Sequence, residues 1–96
     1  MLVNVVRFPP IRQGQDDEFR AWFVRSNEAY APFDGFVSRR LLEPREGGNY
    51  VAIVEHESFE TFMAMHTSPV QAELRQEVGL LLDGDPTPSF YEVVIG

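Results

Sequence analysis

The stretch that decides the fold runs from Gly35 to Gln71 and reads GFVSRRLLEPREGGNYVAIVEHESFETFMAMHTSPVQ. Phe36–Leu42 is apolar at both ends, and Tyr50–His56 is rich in residues that favour strands. Between them, Glu43–Asn49 contains a proline and a glycine pair, which are typical of turns. The stretch therefore predicts an antiparallel hairpin.

Two helix starts follow the hairpin. Ser58 offers an N-cap, and Ser68-Pro69 fits a second N-terminus with proline at the first helical position. We therefore expect the helical region to break near Thr67 and to end at Gly79. The first helical segment carries its large side chains on one stripe, formed by Phe59, Phe62, Met63 and His66.

The segments on either side of this stretch complete the pattern. Leu2–Phe8 predicts a strand that ends at a proline pair. After Gly14, acidic residues at 16 to 18 and apolar residues spaced by three and four predict a helix that ends before Pro32. A loop of sequence DGDPTP precedes a last predicted strand, Phe90–Ile95.

The resulting order is strand, helix, strand, strand, helix, strand. This order predicts an α+β fold, the ferredoxin-like βαββαβ arrangement with a four-stranded antiparallel sheet, in one domain over residues 1–96. A sheet of this size covers only one of its faces with its own helices. We expect a second copy of the chain to cover the other face, which predicts a homodimer.

Composition excludes several kinds of chemistry. The chain has 15 acidic and 8 basic residues, giving a formal charge of −7, so we expect neither nucleic acid nor a membrane as a partner. All basic residues are arginines and there is no cysteine, which rules out Schiff bases, thiol nucleophiles and thiolate metal sites. Neither an export signal nor a spanning segment is recognisable, and a cytoplasmic location is the expectation.

The order of glycines, caps and prolines resembles a known family. The features that carry the resemblance are a glycine before helix one, Gly35-Phe36, Leu41-Leu42-Glu43-Pro44, Glu57-Ser58, and Phe62 through Ser68-Pro69. Together they cover nearly the whole chain and resemble the antibiotic biosynthesis monooxygenase domain family. The resemblance implies a dimeric α+β barrel, in which the sheets of two domains pack together, and a pocket between helices and sheet.

The resemblance also implies a choice of functions. The family includes cofactor-independent oxygenases of aromatic polyketides or quinols, haem-degrading enzymes, and small proteins with no assigned reaction. In the haem-degrading branch, an asparagine, a tryptophan and a histidine surround the haem. The corresponding positions here are Arg7, Met65 and either Leu74 or Arg75. None of these matches, so a haem site would need His66 or His56 as a substitute ligand.

The two histidines are the main candidates for chemistry. His66, on the apolar stripe, is the candidate catalytic residue because an imidazole can move a proton of a phenolic substrate. The alternative is a packed or cap-bonding imidazole. His56, at the end of a strand, is expected to line the core or the pocket. The spacing of the two fits no zinc motif, and we expect no metal.

Aromatic and polar side chains are candidates for holding a substrate. Asn4 can bond a polar edge, and Trp22 and Tyr30 can stack on rings, although their spacing also suits an ordinary helix core. Met65 contributes to a flexible apolar pocket. Tyr91 is a further candidate for the same role.

Arginines within the predicted strands are candidates for binding an anion. Arg7, Arg39 or Arg40 could hold a carboxylate or phenolate if it faces the cavity. The alternative is an ion pair with Glu92, Glu55 or a partner subunit.

Three functions therefore stay open at the level of sequence. The first is a monooxygenase without a cofactor that oxidises a small aromatic or quinol-type molecule. The second is a non-catalytic dimeric protein that binds a small ligand or serves in stress. The third is a haem-binding or haem-degrading relative with an altered site.

Overall fold

A computed structural model describes residues 1–96 and contains four strands and three helices. Their order is that predicted, with the second helical region divided in two. The elements are β1 (Leu2–Arg7), α1 (Asp16–Tyr30), β2 (Phe36–Leu42), β3 (Val51–His56), α2 (Phe59–His66), α3 (Pro69–Gly79) and β4 (Thr87–Glu92). The ferredoxin-like fold is confirmed.

The four strands form one antiparallel sheet in the order β2-β3-β1-β4. One row of paired residues crosses the whole sheet, because Asn4 pairs with Phe90 on one side and with Val54 on the other, and Val54 pairs with Arg39. Alternate residues of a strand point to opposite faces. This row faces the helices, as the burial of Asn4 and Val54 shows.

The last strand differs from its prediction. It was expected over Phe90–Ile95, but it spans Thr87–Glu92 and includes Pro88. Proline lacks the N–H that a central strand needs, but β4 lies at the edge of the sheet, where proline is tolerated. The apolar residues Val94 and Ile95 lie beyond the strand and are almost fully exposed.

Side-chain caps define the helix boundaries. Ser58 accepts a hydrogen bond from the Thr61 backbone N–H at 3.1 Å, and the Thr61 hydroxyl caps in return, which forms a capping box at the start of α2. Ser68 accepts from the Gln71 N–H at 3.2 Å, with Pro69 at the first position of α3. The predicted break at Thr67 is therefore confirmed.

The core lies between the helices and one face of the sheet. Its aromatic centre is Phe19 of α1, which packs edge-on against Phe8 and stacks on Trp22 and Tyr50. The Tyr50 hydroxyl donates to Asp16 Oδ1 at 2.6 Å, so the start of α1 is tied to the end of the turn before β3. These contacts fix α1 over the sheet.

No helix covers the other face of the sheet. Val3, Val5 and Ile53 point to that face and are only partly covered, while Leu42 and Tyr91 are 44% and 54% exposed. None of the three helices is long and apolar enough to span a bilayer.

Candidate functional site

A cavity of about 360 Å³ lies between the helices and the inner face of the sheet. Its lining is mostly apolar, with a few polar groups. Six of the predicted site residues line it: Asn4, Trp22, Tyr30, Arg39, Met65 and His66. The other two, Arg7 and His56, lie outside the lining. The volume is at the small end of the range for small-molecule sites, ~300–1,000 Å³.

The floor of the cavity is the row of the sheet that contains Asn4, Val54 and Arg39. Asn4 is 4% exposed, and its Oδ1 is a buried acceptor without a hydrogen-bond partner. Leaving such a group unpaired costs about 1–3 kcal/mol of stability. Because buried polar groups are nearly always paired, an orphaned amide in a cavity suggests that a ligand completes it.

Arg39 is fixed at one end of this row. Its Nη1 donates to Ser26 Oγ and, at 2.9 Å, to Asn27 Oδ1, while Asn27 Nδ2 donates back to the Arg39 carbonyl at 3.0 Å. Its guanidinium carbon lies 4.1 Å from the Phe23 ring centroid. Burial lowers the pKa of Arg39 to about 10, and the nearby Tyr30 opposes that shift. The side chain is still a cation at neutral pH.

Two aromatic side chains of α1 form the wall next to Arg39. The Arg39 guanidinium lies 5.5 Å from the Trp22 ring and 5.1 Å from the Tyr30 ring. Trp22 Nε1 donates to the Leu74 carbonyl at 3.0 Å, which fixes the indole and joins α1 to α3. Burial raises the pKa of Tyr30, so its hydroxyl is protonated at neutral pH, and it forms no hydrogen bond within the chain.

His66 lies where the cavity opens to solvent. It is exposed, and its ring stacks on Phe62 with centroids 5.4 Å apart and an angle of 17° between the planes. Neither ring nitrogen forms a hydrogen bond within the chain, so both are free to meet a ligand. The neighbouring Met65 is buried and closes the cavity beneath α2.

His56 is packed beneath α2, outside the cavity lining. It has no exposed surface, and its Nδ1 lies 3.1 Å from Thr61 Oγ1 while its Nε2 lies 3.4 Å from Met65 Sδ. Its ring meets the edges of Phe36 and Phe62. Burial lowers the pKa of His56, with Glu57 opposing the shift. The imidazole is therefore neutral and fully engaged.

The remaining strand arginines lie away from the cavity. Arg7 is exposed and occupies the face of β1 opposite to Asn4, as strand alternation predicted. Arg40 follows Arg39 on β2 but points to the outer face, where its Nη2 lies 3.7 Å from Glu55 Oε1. Arg39 is thus the one of the three that lines the cavity.

Nine residues that line the cavity were not among the predicted site residues. The missed residues are Val6, Phe8, Val54, Phe62, Gln71, Arg75, Val78, Pro86 and Pro88. Alternation along β1 and β3 places Val6, Phe8 and Val54 on the inner face. Spacings of four and three place Gln71, Arg75 and Val78 on one side of α3. The two prolines were missed because they were assigned to the loop before β4.

Histidine and acidic side chains do not gather into any group of three or more that could hold a metal ion. The arrangement in the cavity instead suits a flat organic molecule. Trp22 and Tyr30 offer ring surfaces, the Asn4 amide offers hydrogen bonds, and Arg39 offers positive charge. His66 offers a free imidazole at the opening.

Several solved structures share this fold over nearly the whole chain. Rv0793 from Mycobacterium tuberculosis is 23% identical over 99% of this chain and 96% of its own, with a TM-score of 0.85. SnoaB, a cofactor-independent oxygenase from Streptomyces nogalater, is 21% identical over 99% of this chain and 94% of its own, with a TM-score of 0.86. A structure named antibiotic biosynthesis monooxygenase is 14% identical over 99% of this chain and 100% of its own, with a TM-score of 0.83.

No family model matches the chain, and no curated protein matches it. The likeness therefore lies in the course of the backbone over nearly the whole length of both partners. This structural likeness agrees with the family resemblance that the order of caps, glycines and prolines carries. The chain has the fold of the antibiotic biosynthesis monooxygenases.

Proposed function

We propose that this protein is a cofactor-independent monooxygenase that oxidises a small aromatic or quinol-type molecule in the cavity between its helices and sheet. The observation that carries the proposal is the cavity itself, in which an apolar aromatic wall faces an orphaned amide and an arginine, with a free histidine at the opening. The shared fold with SnoaB, named a cofactor-independent oxygenase, supports it.

The substrate supplies all the electrons in such a reaction. Loss of a proton from a phenol with an activated ring methylene gives an electron-rich anion, which passes one electron to dioxygen. The carbon radical and superoxide then combine through a C–O bond into a peroxide anion, which takes back the proton from the base to become a hydroperoxide. Loss of water from the hydroperoxide leaves a carbonyl, so that one oxygen atom enters the product and the other leaves as water.

The residues of the cavity take distinct roles in this proposal. His66 accepts the proton, since its nitrogens are free and an imidazole can act as a general base. The Asn4 amide bonds a polar edge of the substrate. Trp22, Tyr30 and Met65 hold the rings and exclude water, which strengthens the electrostatic interactions inside.

Replacing His66 by glutamine tests the proposal. The change keeps a polar side chain but removes the base, so we expect oxidation to slow by about a hundredfold or more. The assay follows dioxygen uptake with an anthrone and with a naphthalene diol, and isotopically labelled dioxygen traces the incorporated atom. The matched control is Glu60→Gln, an exposed position on the same helix outside the cavity.

Two results would argue against an oxygenase that uses His66 as its base. One is the absence of turnover with every anthrone and diol tested, and the other is an unchanged rate in His66→Gln. Incorporation of label into the product at a rate that the control matches and the variant does not would support the role of His66.

A non-catalytic binding protein is the second candidate function. It is favoured by the position of His66, which lies at the solvent-exposed opening, while the interior of the cavity contains neither histidine nor carboxylate. A ligand seated deep in the cavity would then meet no base. Tight binding of an aromatic ligand without turnover would support this function over the first.

A haem-binding relative is the third candidate, and it depends on His66. Both nitrogens of His56 are engaged by Thr61 and Met65, which leaves His66 as the histidine with a free nitrogen at the cavity. A titration with haem checks this function. A Soret shift that is present with the natural chain and absent with His66→Ala would support haem binding. The absence of a shift with the natural chain would contradict it.

We further propose that the chain forms a homodimer through the outer face of its sheet. The support is the set of partly covered or exposed apolar side chains that no helix of the chain reaches. Contiguous apolar surface of this kind is rare on proteins that remain single.

A further inference from the structure

We propose that Arg39 is the anion receptor of the cavity, and that its ligand is an aromatic molecule carrying its negative charge on an oxygen, as a carboxylate or a phenolate. This inference deepens the proposed function and rests on it for the identity of the cavity as a ligand site. It names the chemical class of the molecule that the site takes.

The distribution of ion pairs singles out Arg39. The chain has 15 acidic residues and only 8 basic ones, all of them arginine, so carboxylate partners are abundant. Five arginines pair with carboxylates: Arg12, Arg20, Arg25, Arg40 and Arg75. Of the other three, Arg7 and Arg45 are exposed to water. Arg39 alone is partly buried at the cavity and without a carboxylate.

The environment of Arg39 holds the cation but does not neutralise it. The side chain lies among the rings of Trp22, Phe23 and Tyr30, whose faces attract a cation while carrying no net charge. Its Nη1 is bound by the neutral oxygens of Ser26 and Asn27. A charge that has lost much of its contact with water normally has an opposite charge beside it. The counter-charge is therefore expected from outside the chain.

The guanidinium also has the donors to receive an anion. Its Nε and Nη2 form no hydrogen bond within the chain. Two neighbouring N–H groups of one guanidinium match the two oxygens of a carboxylate, or converge on one phenolate oxygen. Since Nη1 and the backbone carbonyl are both held by Asn27, the fork is oriented before the ligand arrives.

The separation of Asn4 and Arg39 across the sheet indicates the length of the ligand. Asn4 and Arg39 lie in the same row of the sheet with Val54 between them. Strands are ~4.8 Å apart, so two spacings place their Cα atoms about 10 Å from each other. The unpaired Oδ1 of Asn4 needs a donor such as a hydroxyl. This Cα separation is comparable to the length of two fused rings, so the test uses a probe with an anionic oxygen at one end and a hydroxyl at the other.

The test compares a charged probe with its neutral counterpart. We expect 6-hydroxy-2-naphthoate to bind at least tenfold more tightly than 6-hydroxy-2-naphthamide, since hydrogen bonds to charged groups are the stronger ones. Affinity is measured by calorimetry under nitrogen, so that no oxidation occurs. The chain contains a single tryptophan, and that residue lines the cavity, so the NMR signal of the Trp22 indole reports whether the probe occupies the site.

Arg39→Met and Arg40→Met form a matched pair of variants. They remove the same charge from adjacent positions of β2, one facing the cavity and the other facing Glu55 on the outer side. We expect Arg39→Met to abolish the preference for the naphthoate while leaving the affinity for the naphthamide within about threefold, given the loss of one charged contact. Arg40→Met should retain the preference.

Equal affinity of the natural chain for the two probes would overturn the inference, as would binding of neither. A preference that survives Arg39→Met would do the same. The comparison of probes on the natural chain decides the matter even if Arg39→Met does not fold. Selective anion binding without any turnover would support the role of Arg39 and contradict the oxygenase activity. Turnover without a preference for the anion would support the oxygenase activity and contradict the role of Arg39.

Discussion

Three polar side chains lie in the core, and they differ in whether their hydrogen bonds are satisfied: Asn4, Ser26 and His56. Ser26 donates to the Phe23 carbonyl at 2.7 Å and accepts from Arg39. His56 lies within bonding distance of Thr61 and Met65. Asn4 alone keeps an unpaired buried acceptor. Two of these polar groups hold the structure together, and the third lines the cavity.

His56 should make stability depend on pH. Burial lowers its pKa in the folded protein below the usual 6.5, so the unfolded chain takes up a proton before the folded one does. The contribution of neutral His56 is therefore present above pH 6.5 and is lost as the pH falls. In His56→Phe this loss is absent, so the stability of the natural chain relative to the variant should decline as the pH falls through 6.5.

Urea unfolding at several pH values, followed by tryptophan fluorescence, measures this difference. Carboxylates titrate in both proteins and cancel in the comparison. A stability difference between the natural chain and His56→Phe that stays constant with pH would contradict the expectation.

Strand alternation shows how far the orientation of individual site residues can be predicted from a sequence. It places Asn4 and Arg7 on opposite faces but leaves open which of the two faces the helices. The choice between Arg39 and Arg40 is harder, because the register of β2 against β3 shifts between Phe36 and Ser38. A bulge reverses the alternation beyond it, and no residue in this stretch signals it.

At the level of elements, one hydroxyl joins two helices. Ser68 Oγ donates to the Met65 carbonyl at the end of α2 with a length of 2.6 Å, and it accepts from the Gln71 N–H at the start of α3. These are the groups that a helix end leaves without an internal partner. The bend between α2 and α3 positions His66 and Gln71 around the cavity opening.

Ser68→Ala should lower the free energy of unfolding by about 1–2 kcal/mol, because an N-cap and a second hydrogen bond are lost together. Gln76→Ala is the control, since Gln76 is exposed on α3 and its side chain forms no hydrogen bond within the chain. Urea unfolding measures both variants. Equal destabilisation by the two changes would contradict a capping role for Ser68.

Element boundaries were predictable where caps and turn residues mark them. Ser58, Ser68-Pro69 and the glycine pair in the turn gave α2, α3 and the hairpin to within one residue. The last strand was placed three residues late, because Pro88 looks like part of a loop in a sequence without a sheet. Whether a proline belongs to a strand depends on the position of that strand in the sheet, which only the tertiary structure reveals.

In the molecule as a whole, the helices cover one face of the sheet and leave the other uncovered. This bare face is the outer face that carries Val3, Val5 and Ile53. Val5 lies on the bare face at the middle of the sheet, between Ile53 and Ser89. If two copies pack these faces together, a charge at this position would be buried without a partner, which costs several kcal/mol. The bare face is thus the surface on which the proposed homodimer depends.

Val5→Asp should therefore convert the dimer into single chains, whereas Val24→Asp should not. Val24 is 58% exposed on α1 and lies on the helix side of the molecule, so it receives the same change away from the bare face. Sedimentation of the natural chain should give twice the mass of one polypeptide. A natural chain that sediments as one copy at micromolar concentration would contradict the dimer, as would dissociation by Val24→Asp.

The proline in β4 also limits how these molecules can associate sideways. An edge strand offers its free backbone groups to any extended segment that approaches, which is how ordered aggregates begin. Pro88 cannot donate a backbone hydrogen bond, so a foreign strand laid along β4 would find its ladder interrupted near the start of that strand. Growth into fibrils is therefore disfavoured at this border, even though the exposed residues Val94 and Ile95 lie close to it.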